Sequence, residues 1–384
     1  MNRLTTPWGT FELARFPEDP RDTLRAWDAA DEYLLRHLHG TGDSAPTDLS
    51  GTVTVVGDRW GALATSLAAH RPVQITDSFL CHEATRGNLA RNGLAADSVR
   101  LLTARDTPPD RIDVLLVRVP KSLALLEDQL HRLASSVHAD TVVVGTGMVT
   151  EIHTSTLKLF ERILGPTRTS LAVKKARLIF CTPDPKLARV TSPWPLRYAL
   201  PSDIGTLAGR TVTNHAGIFC AERLDIGTRF FLRHLPQHRG PERVVDLGCG
   251  NGVVGTAAAL ANPDADLTFV DESYSAVASA KATFHDNVPG GKAEFLVGDG
   301  LSALPDGSVD RVLNNPPFHS HRATTDTAAR RMFADARRAL CEGGELWVVG
   351  NRHLGYHVRL RRMFGNCEVV AGDPKFVVLR TVRT

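Results

Sequence analysis

The strongest constraint on this chain is that its pattern occurs twice. TVTVVGDRWGALATSLAAH (52–70) matches ERVVDLGCGNGVVGTAAALA (242–261): a β-branched run, a glycine-containing turn, then an alanine-rich helical stretch. PVQITDSFLCHEATRGNLARNG (72–93) matches DLTFVDESYSAVASAKATFHDN (266–287), each a strand ending in an acid, Asp77 or Asp271, followed by an amphipathic helix. RIDVLLVRVPKS (111–122) then matches SVDRVLNNPPFH (308–319), and TVVVGTGMV (141–149) matches ELWVVGNRHL (345–354). The order is the same throughout, and the offset drifts only from about 190 to about 200 residues. Strands alternating with helices need right-handed βαβ crossovers, so each half is expected to be an α/β unit with a mostly parallel, doubly wound sheet. The length of 384 residues suits two such units.

The join is expected near VTSPWPLRYALPSDIGTLAG (190–209), where Pro193, Pro195 and Pro201 break regular structure. The expected division is 1–190, a linker at 191–209, and 210–384. Before the first repeat, PEDPRDTLRAWDAADEYLLRHL suggests a turn and then a helix with Leu24, Trp27, Ala30 and Leu34 on one stripe, Trp27 facing the core.

Several classes are excluded early. No apolar run approaches the roughly 18 residues of a membrane span, and the opening MNRLTTPWGTFELARFPEDP lacks the apolar stretch of a secretory signal. The six cysteines lie far apart with no CxxC pair, which argues against a disulfide framework or a zinc ribbon and fits the cytoplasm. No metal site is expected. The net charge of +3 is nearly neutral, but it is unevenly spread. Residues 1–150 hold 15 basic and 19 acidic side chains, 151–200 hold nine against three, and 352–384 hold seven against two. The basic stretches, with Lys174, Lys175, Arg177 and Arg352 among them, could line an anion-binding cleft or form solvated surfaces.

The chemistry lies in the second half. In VVDLGCGNGVVG (244–255) a buried strand runs into Gly248, Gly250 and Gly252 with Asn251 between them, and a helix follows. Glycines let the backbone turn sharply and approach a ligand at a helix start. GNGVVG also satisfies the weak dinucleotide pattern GxGxxG, the basis of a rival oxidoreductase reading. Asp246, however, precedes the glycines, where it would repel a pyrophosphate but accept from the ammonium of a methionine moiety. Asp271 ends the next strand, placed for the hydroxyls of a ribose. Asp299, in VGDG with Gly300, is placed for an adenine amino group. Taken singly each acid could be a helix cap; in register they point to S-adenosylmethionine.

NNPPFHSH (314–321) follows the fourth strand, at the carboxyl edge where the crevice of an open α/β sheet lies. Pro316 and Pro317 make a rigid projecting turn. The Asn315 side-chain oxygen and the Pro316 carbonyl can both accept from one exocyclic amino group, and Phe318 can stack on its ring. Two acceptors would orient the nitrogen lone pair toward a methyl group, so the rate would come from positioning and electrostatics.

Asp246–Gly252, Asp271, Asp299 and Asn315–Phe318 resemble class I S-adenosylmethionine-dependent methyltransferases of the amino-methylating type. NPPFHSHRATTDTAARRMF (315–333), VVGNRHLGY (348–356), FGNC (364–367), KFVVLR (375–380) and AGIFCAERLDIGTRFFL (216–232) are similar to the ribosomal RNA guanine-N2 methyltransferases, the large-subunit 23S branch first and the small-subunit 16S branch second. The resemblance implies two tandem Rossmann-like methyltransferase domains. The N-terminal one would be degenerate and hold RNA; the C-terminal one would methylate guanine N2 with S-adenosylmethionine. The expected partner is ribosomal RNA or a ribosomal-subunit precursor, and the expected state a monomer in the cytoplasm. The first half fits: its glycine turn is only GDRWG, and RVPK (118–121) replaces the catalytic turn. Asp77 remains there, as a helix cap. The resemblance also implies that Phe219 and Thr228 flank cofactor or base, with core packing the competing role for Phe219. His319 and His321 could meet phosphate or base, or simply face solvent; Arg352 could meet phosphate or form an ion pair. Cys249 lacks a His–carboxylate partner and is read as filler. The rivals are the same reaction on 16S RNA, methylation of adenine N6 or of a glutamine amide, and non-catalytic RNA binding.

Overall fold

Apolar runs covered on both faces by helices become parallel strands in which nearly every side chain is buried. In the computed structural model, which describes residues 2–20, 22–40, 45–317 and 322–384, this is true of all four residues of Val53–Val56. The chain forms two compact units, Met1–Pro193 and Trp194–Thr384.

The first unit opens with a hairpin, β1 (Arg3–Thr6) and β2 (Gly9–Glu12), and helix α1 (Ala29–His39). It continues through β3 (Val53–Val56), α2 (Ala62–Ser66), β4 (Val73–Thr76), α3 (Phe79–Arg91), β5 (Arg100–Thr103) and β6 (Ile112–Arg118). It ends with α4 (Leu123–Leu133), β7 (Val137–Met148), α5 (Thr154–Ile163), β8 (Thr167–Thr169) and β9 (Ala176–Cys181). Its seven-stranded sheet has the order β5-β4-β3-β6-β7-β9-β8, with β9 antiparallel to both neighbours and the rest parallel.

The second unit opens with a hairpin, β10 (Leu196–Ala199) and β11 (Thr211–Asn214), then α6 (Ile226–Leu232). There follow β12 (Glu242–Leu247), α7 (Val253–Ala261), β13 (Ala265–Asp271), α8 (Tyr274–Asn287), β14 (Ala293–Val297) and β15 (Val309–Asn314). The last elements are α9 (Arg322–Ala339), β16 (Leu340–Asn351), α10 (Tyr356–Phe364), β17 (Glu368–Gly372) and β18 (Phe376–Val382). The sheet order, β14-β13-β12-β15-β16-β18-β17, repeats that of the first unit strand for strand. The two-fold pattern of the sequence is thus a two-fold α/β architecture. No helix of the described residues is long and apolar enough to cross a membrane.

Strand alternation feeds two helical layers in the second unit. Val245, Val312, Leu346 and Val348 face a core that includes Phe333 and Leu360; Val244, Leu313, Trp347 and Val349 face one that includes Phe231 and Phe284. Each such side chain stabilises the fold by about 1.5–3 kcal/mol through burial. The packing holds β12 between β13 and β15, the position where the strand order reverses and a crevice opens at the carboxyl ends.

Three sequence expectations need correction. Helix α1 starts at Ala29, because Asp28 and Asp31 form a reciprocal capping box there; Leu24 lies before it and is 52% exposed, while Trp27, also before it, is buried in the core. The cap of α3 is Ser78, whose side chain accepts from Cys81 N, not Asp77; Ser273 does the same for α8. The proline-rich stretch 191–209 holds a regular strand, β10, between Pro195 and Pro201, and Leu200, Ile204 and Leu207 of that stretch are buried in the second unit's core.

Candidate active site

The glycine turn after β12 is built by three left-handed residues with different tasks. A Cβ on Gly252 (φ +76°) would lie 2.6 Å from Ala280 Cα, so this glycine lets α7 and α8 approach. A Cβ on Gly248 (φ +71°) would lie 2.9 Å from the Met332 methyl. A Cβ on Gly250 (φ +52°) would meet nothing within 4 Å among the described residues, which leaves open space beside the backbone. Asp271 pins the turn: its Oδ2 accepts from Gly250 N at 3.0 Å and its Oδ1 from Ser273 N at 3.0 Å. Asn251 Nδ2 donates to Asn214 Oδ1 at 2.9 Å, tying the turn to the end of β11.

The three acids expected to meet a cofactor differ in environment. Asp246 is 2% exposed and its Oδ2 accepts from Gly255 N at 2.7 Å, so that oxygen serves the start of α7, as a cap would. Burial raises its pKa to about 8, opposed by the Gly255 amide and reinforced by Asp271. Asp271 is only half-buried; its pKa is raised by burial and opposed by the amides it accepts from. A carboxylate has about four lone-pair sites, so the amides of Gly250, Glu272 and Ser273 still leave acceptor capacity for a ligand hydroxyl. Asp299 is ion-paired with Arg331 of α9. A Cβ on Gly300 (φ +53°) would run into the Asp335 carboxylate.

The turn after β15 is bound to this framework. Asn314, fully buried, donates from Nδ2 to Leu247 O at 2.7 Å, linking it to the strand end just before the glycines. Asn315 donates from Nδ2 to Thr228 Oγ1 at 2.9 Å. Thr228 Oγ1 donates in turn to Asp225 Oδ2 at 3.3 Å, and Asp225 also caps α6 by accepting from Thr228 N at 2.8 Å. The Oδ1 atoms of Asn314 and Asn315 are buried without a hydrogen-bond partner among the described residues. Pro316 is buried and Pro317 exposed. Phe318, His319 and His321 lie outside the described residues.

Sequence reasoning missed Asn314, which looked like a neutral duplication of Asn315, and Asp225. No local signal could have found the Thr228 contact, since the partner is 87 residues away. Phe219 is 49% exposed, which removes core packing as its role. Arg352 donates from Nε and a terminal nitrogen to the Asp373 carbonyl at 3.1 and 2.8 Å, so it is tied to backbone rather than to a carboxylate. Cys249 is buried and its thiol pKa is raised well above the usual value by burial, then by Asp271 and Asp246, as suits filler rather than a nucleophile.

Lys174, Lys175 and Arg177 belong to the first unit. Lys174 and Lys175 (φ 49° and 62°) form a left-handed two-residue turn between Val173 and Ala176, a geometry that favours Asn or Gly. Lys174 makes an exposed ion pair with Glu32 at 3.1 Å. It also lines a surface pocket of about 390 Å³ with Arg3, Arg25, Arg36, Trp27 and Glu32 among its walls.

At the edge equivalent to the second unit's crevice, the first unit is filled with charge. Arg118 ends β6 at 0% exposure and pairs with Asp28 (2.6 Å), Glu151 (3.0 Å) and Asp31 (3.3 Å). Arg59, from the GDRWG turn, joins Asp28 at 3.3 Å and Glu151 at 2.5 Å. Burial raises the Asp31 pKa to about 7 despite Arg118. Asp58, likewise in the turn, is buried and accepts from Ala64 N at 2.9 Å, capping α2 much as Asp246 serves α7.

Two family models match: "RLMG N-terminal domain" over residues 1–185 and "Methyltransferase small domain" over 209–380. The chain is 74% identical to the "Ribosomal RNA large subunit methyltransferase G" of Streptomyces griseus over all of both proteins. It is 50% identical to the protein of that name from Stutzerimonas stutzeri over 99% of each. Among solved structures, a T. thermophilus 16S rRNA N2 methyltransferase in complex with AdoMet and guanosine matches with a TM-score of 0.75 at 19% identity, covering 100% of this chain and 97% of the other; at that identity the likeness concerns the fold.

Proposed function

The chain belongs to the ribosomal RNA large subunit methyltransferase G family, and from that premise we propose that it methylates the exocyclic N2 of a guanine in 23S ribosomal RNA. It is an S-adenosylmethionine-dependent methyltransferase. The observation that carries the amino-group reading is Asn315, whose amide nitrogen is satisfied by Thr228 while its Oδ1 has no partner among the described residues. A buried acceptor left unpaired costs about 1–3 kcal/mol, a deficit that an incoming amino group relieves.

The residues present suit the cofactor. The open space at Gly250 admits a ligand to the backbone, Asp271 retains acceptor sites for ribose hydroxyls, and Asp246 supplies negative charge once its proton leaves. When bound, S-adenosylmethionine supplies an electrophilic methyl group. Asn315 Oδ1 and the Pro316 carbonyl accept from the amino group, which disfavours conjugation of the nitrogen lone pair with the ring and fixes its direction. Asn314 holds this turn to the end of β12, so acceptor and cofactor turn share one rigid base.

The first unit serves as the RNA-holding domain in this reading, and no second copy is required. The basic pocket around Arg3, Arg25, Arg36 and Lys174 supports it, as does the placing of two lysines in a left-handed turn beside it. The substrate is ribosomal RNA or a subunit precursor, and the compartment the cytoplasm.

Labelled methyl transfer to ribosomal RNA from a strain lacking the protein, followed by nucleoside analysis, tests the reading. N2-methylguanosine in the 23S fraction is the expected product; N6-methyladenosine, or label in protein or 16S RNA, overturns it. Asn315→Ala should lower transfer by about 10²–10³-fold, the scale for losing one preorganised hydrogen-bonding group, while calorimetric binding of S-adenosylmethionine persists.

A further inference from the structure

We propose that Asp225 and Thr228 are positioning residues that set which end of the Asn315 amide faces the substrate. The inference rests on the reading of Asn315 as acceptor for an amino group, and it explains why this side chain presents oxygen rather than nitrogen.

Hydrogen-bond direction fixes the orientation of the amide. An asparagine amide is nearly symmetric in shape, and turning it by half a rotation replaces an acceptor with a donor. A donor at that point would meet the N–H bonds of an amino substrate head-on. A side chain on the turn after β15 therefore needs an external group to choose its orientation. A carboxylate has no proton to give, so the bond between Asp225 Oδ2 and Thr228 Oγ1 (3.3 Å) uses the threonine hydroxyl as donor. That hydroxyl has a single proton. Toward Asn315 it can then only accept, and only Nδ2 can donate to it, as it does at 2.9 Å. With Nδ2 committed, Oδ1 is directed away from α6 and is left without a partner among the described residues.

The relay is itself held in place. Thr228 lies in the first turn of α6, where its own backbone amide donates to the same Asp225 oxygen at 2.8 Å. Its flanking residue Gly227 leaves room for Phe376 of β18, from which a Cβ would be only 3.1 Å. Phe231 of the same helix is fully buried in the core. Asp225 thus performs two tasks with one oxygen: it caps the helix that carries Thr228, and it dictates the hydroxyl's direction.

The substitution that isolates the second task is Thr228→Val, which keeps the shape and the capped backbone amide but removes the hydroxyl. Methyl transfer to 23S RNA lacking the modification should be measured in single-turnover conditions, with cofactor binding by calorimetry and the melting curve alongside. The expected result is a fall in the transfer rate of roughly tenfold, the order of one buried hydrogen bond, with cofactor affinity and melting midpoint unchanged. Thr228→Ser should recover most of the rate. In amide NMR the Asn315 side-chain NH₂ should exchange slowly in the wild type and in Thr228→Ser, and quickly in Thr228→Val. If valine perturbs the melt, Thr228→Ala supplies the same test.

A wild-type rate in Thr228→Val, or in Thr228→Ala where that replaces it, overturns the relay when Asn315→Ala is inactive. So does equal loss in the serine and valine variants. Full activity in Asn315→Ala, or absence of N2-methylguanosine with the wild-type protein, instead sinks the functional reading beneath it. The two failures are therefore separable.

Discussion

At the residue scale, the proposed chemistry draws on a few polar side chains at the carboxyl edge of the second unit's sheet, among them Asp246, buried at 2% exposure. Asp246 is the clearest titrating case. Its pKa of about 8 in the folded protein exceeds the ordinary carboxyl value of about 3.9 in an unfolded chain. Between those pH values the folded protein holds a proton that the unfolded chain has released, so this group's contribution to stability falls as pH rises from about 4 to about 8. A sulfonium or ammonium brought near it favours the ionised form. Cofactor binding near pH 7 should therefore release a proton, visible as a binding enthalpy that varies with the ionisation enthalpy of the buffer. Asp246→Asn should abolish that variation; a buffer-independent heat in the wild type would mean that Asp246 does not answer the ligand's charge. The residue types at the site were legible because glycines, acids and prolines mark turns and strand ends. The partners of Asn315 were not, because a side-chain pair separated by 87 positions leaves no local pattern.

At the element scale, the glycine turn separates two uses of the same backbone conformation. Gly252→Ala forces a side chain at φ +76° against Ala280 backbone, so it should cost roughly 2–4 kcal/mol, combining left-handed strain with overpacking. Gly250→Ala adds a methyl to open space at φ +52° and should cost only about 1–2 kcal/mol. Urea denaturation of the two variants should preserve that ranking; equal losses would remove the packing role assigned to Gly252. The alternation of apolar strands and helices was readable in both halves, because buried parallel strands must be nearly continuous in apolar residues. Other features were not. Leu24 and Trp27 fall at helical spacing, yet the Asp28–Asp31 capping box starts α1 after them. Prolines marked the join, but β10 fits between Pro195 and Pro201 because both prolines fall outside its pairing with β11. The antiparallel β17 is largely exposed, so its sequence carried little of the apolar signal that identified the central strands.

At the scale of the whole molecule, a net charge of +3 conceals an uneven spread, with basic side chains in excess over 151–200 and 352–384. Removing Arg3 and Arg36 together by alanine substitution should weaken binding of 23S RNA while leaving cofactor affinity intact. It should also reduce the slope of log affinity against log salt by about 1.4, at roughly 0.7 per single-stranded phosphate contact. An unchanged slope would show that the pocket they line is not an RNA contact. The buried charges of the first unit have a different consequence, one that concerns history. Arg118 is enclosed by Asp28, Asp31 and Glu151, and Arg59 shares two of these acids. Replacing Arg118 alone with an asparagine, as a first step toward a methyl-transfer turn, would leave Asp31 buried without its arginine while Asp28 and Glu151 keep Arg59, at a cost of about 3–5 kcal/mol. That step is penalised before any ligand can compensate for it, so the charge network acts as an evolutionary ratchet against building a methyl-transfer turn in the first unit.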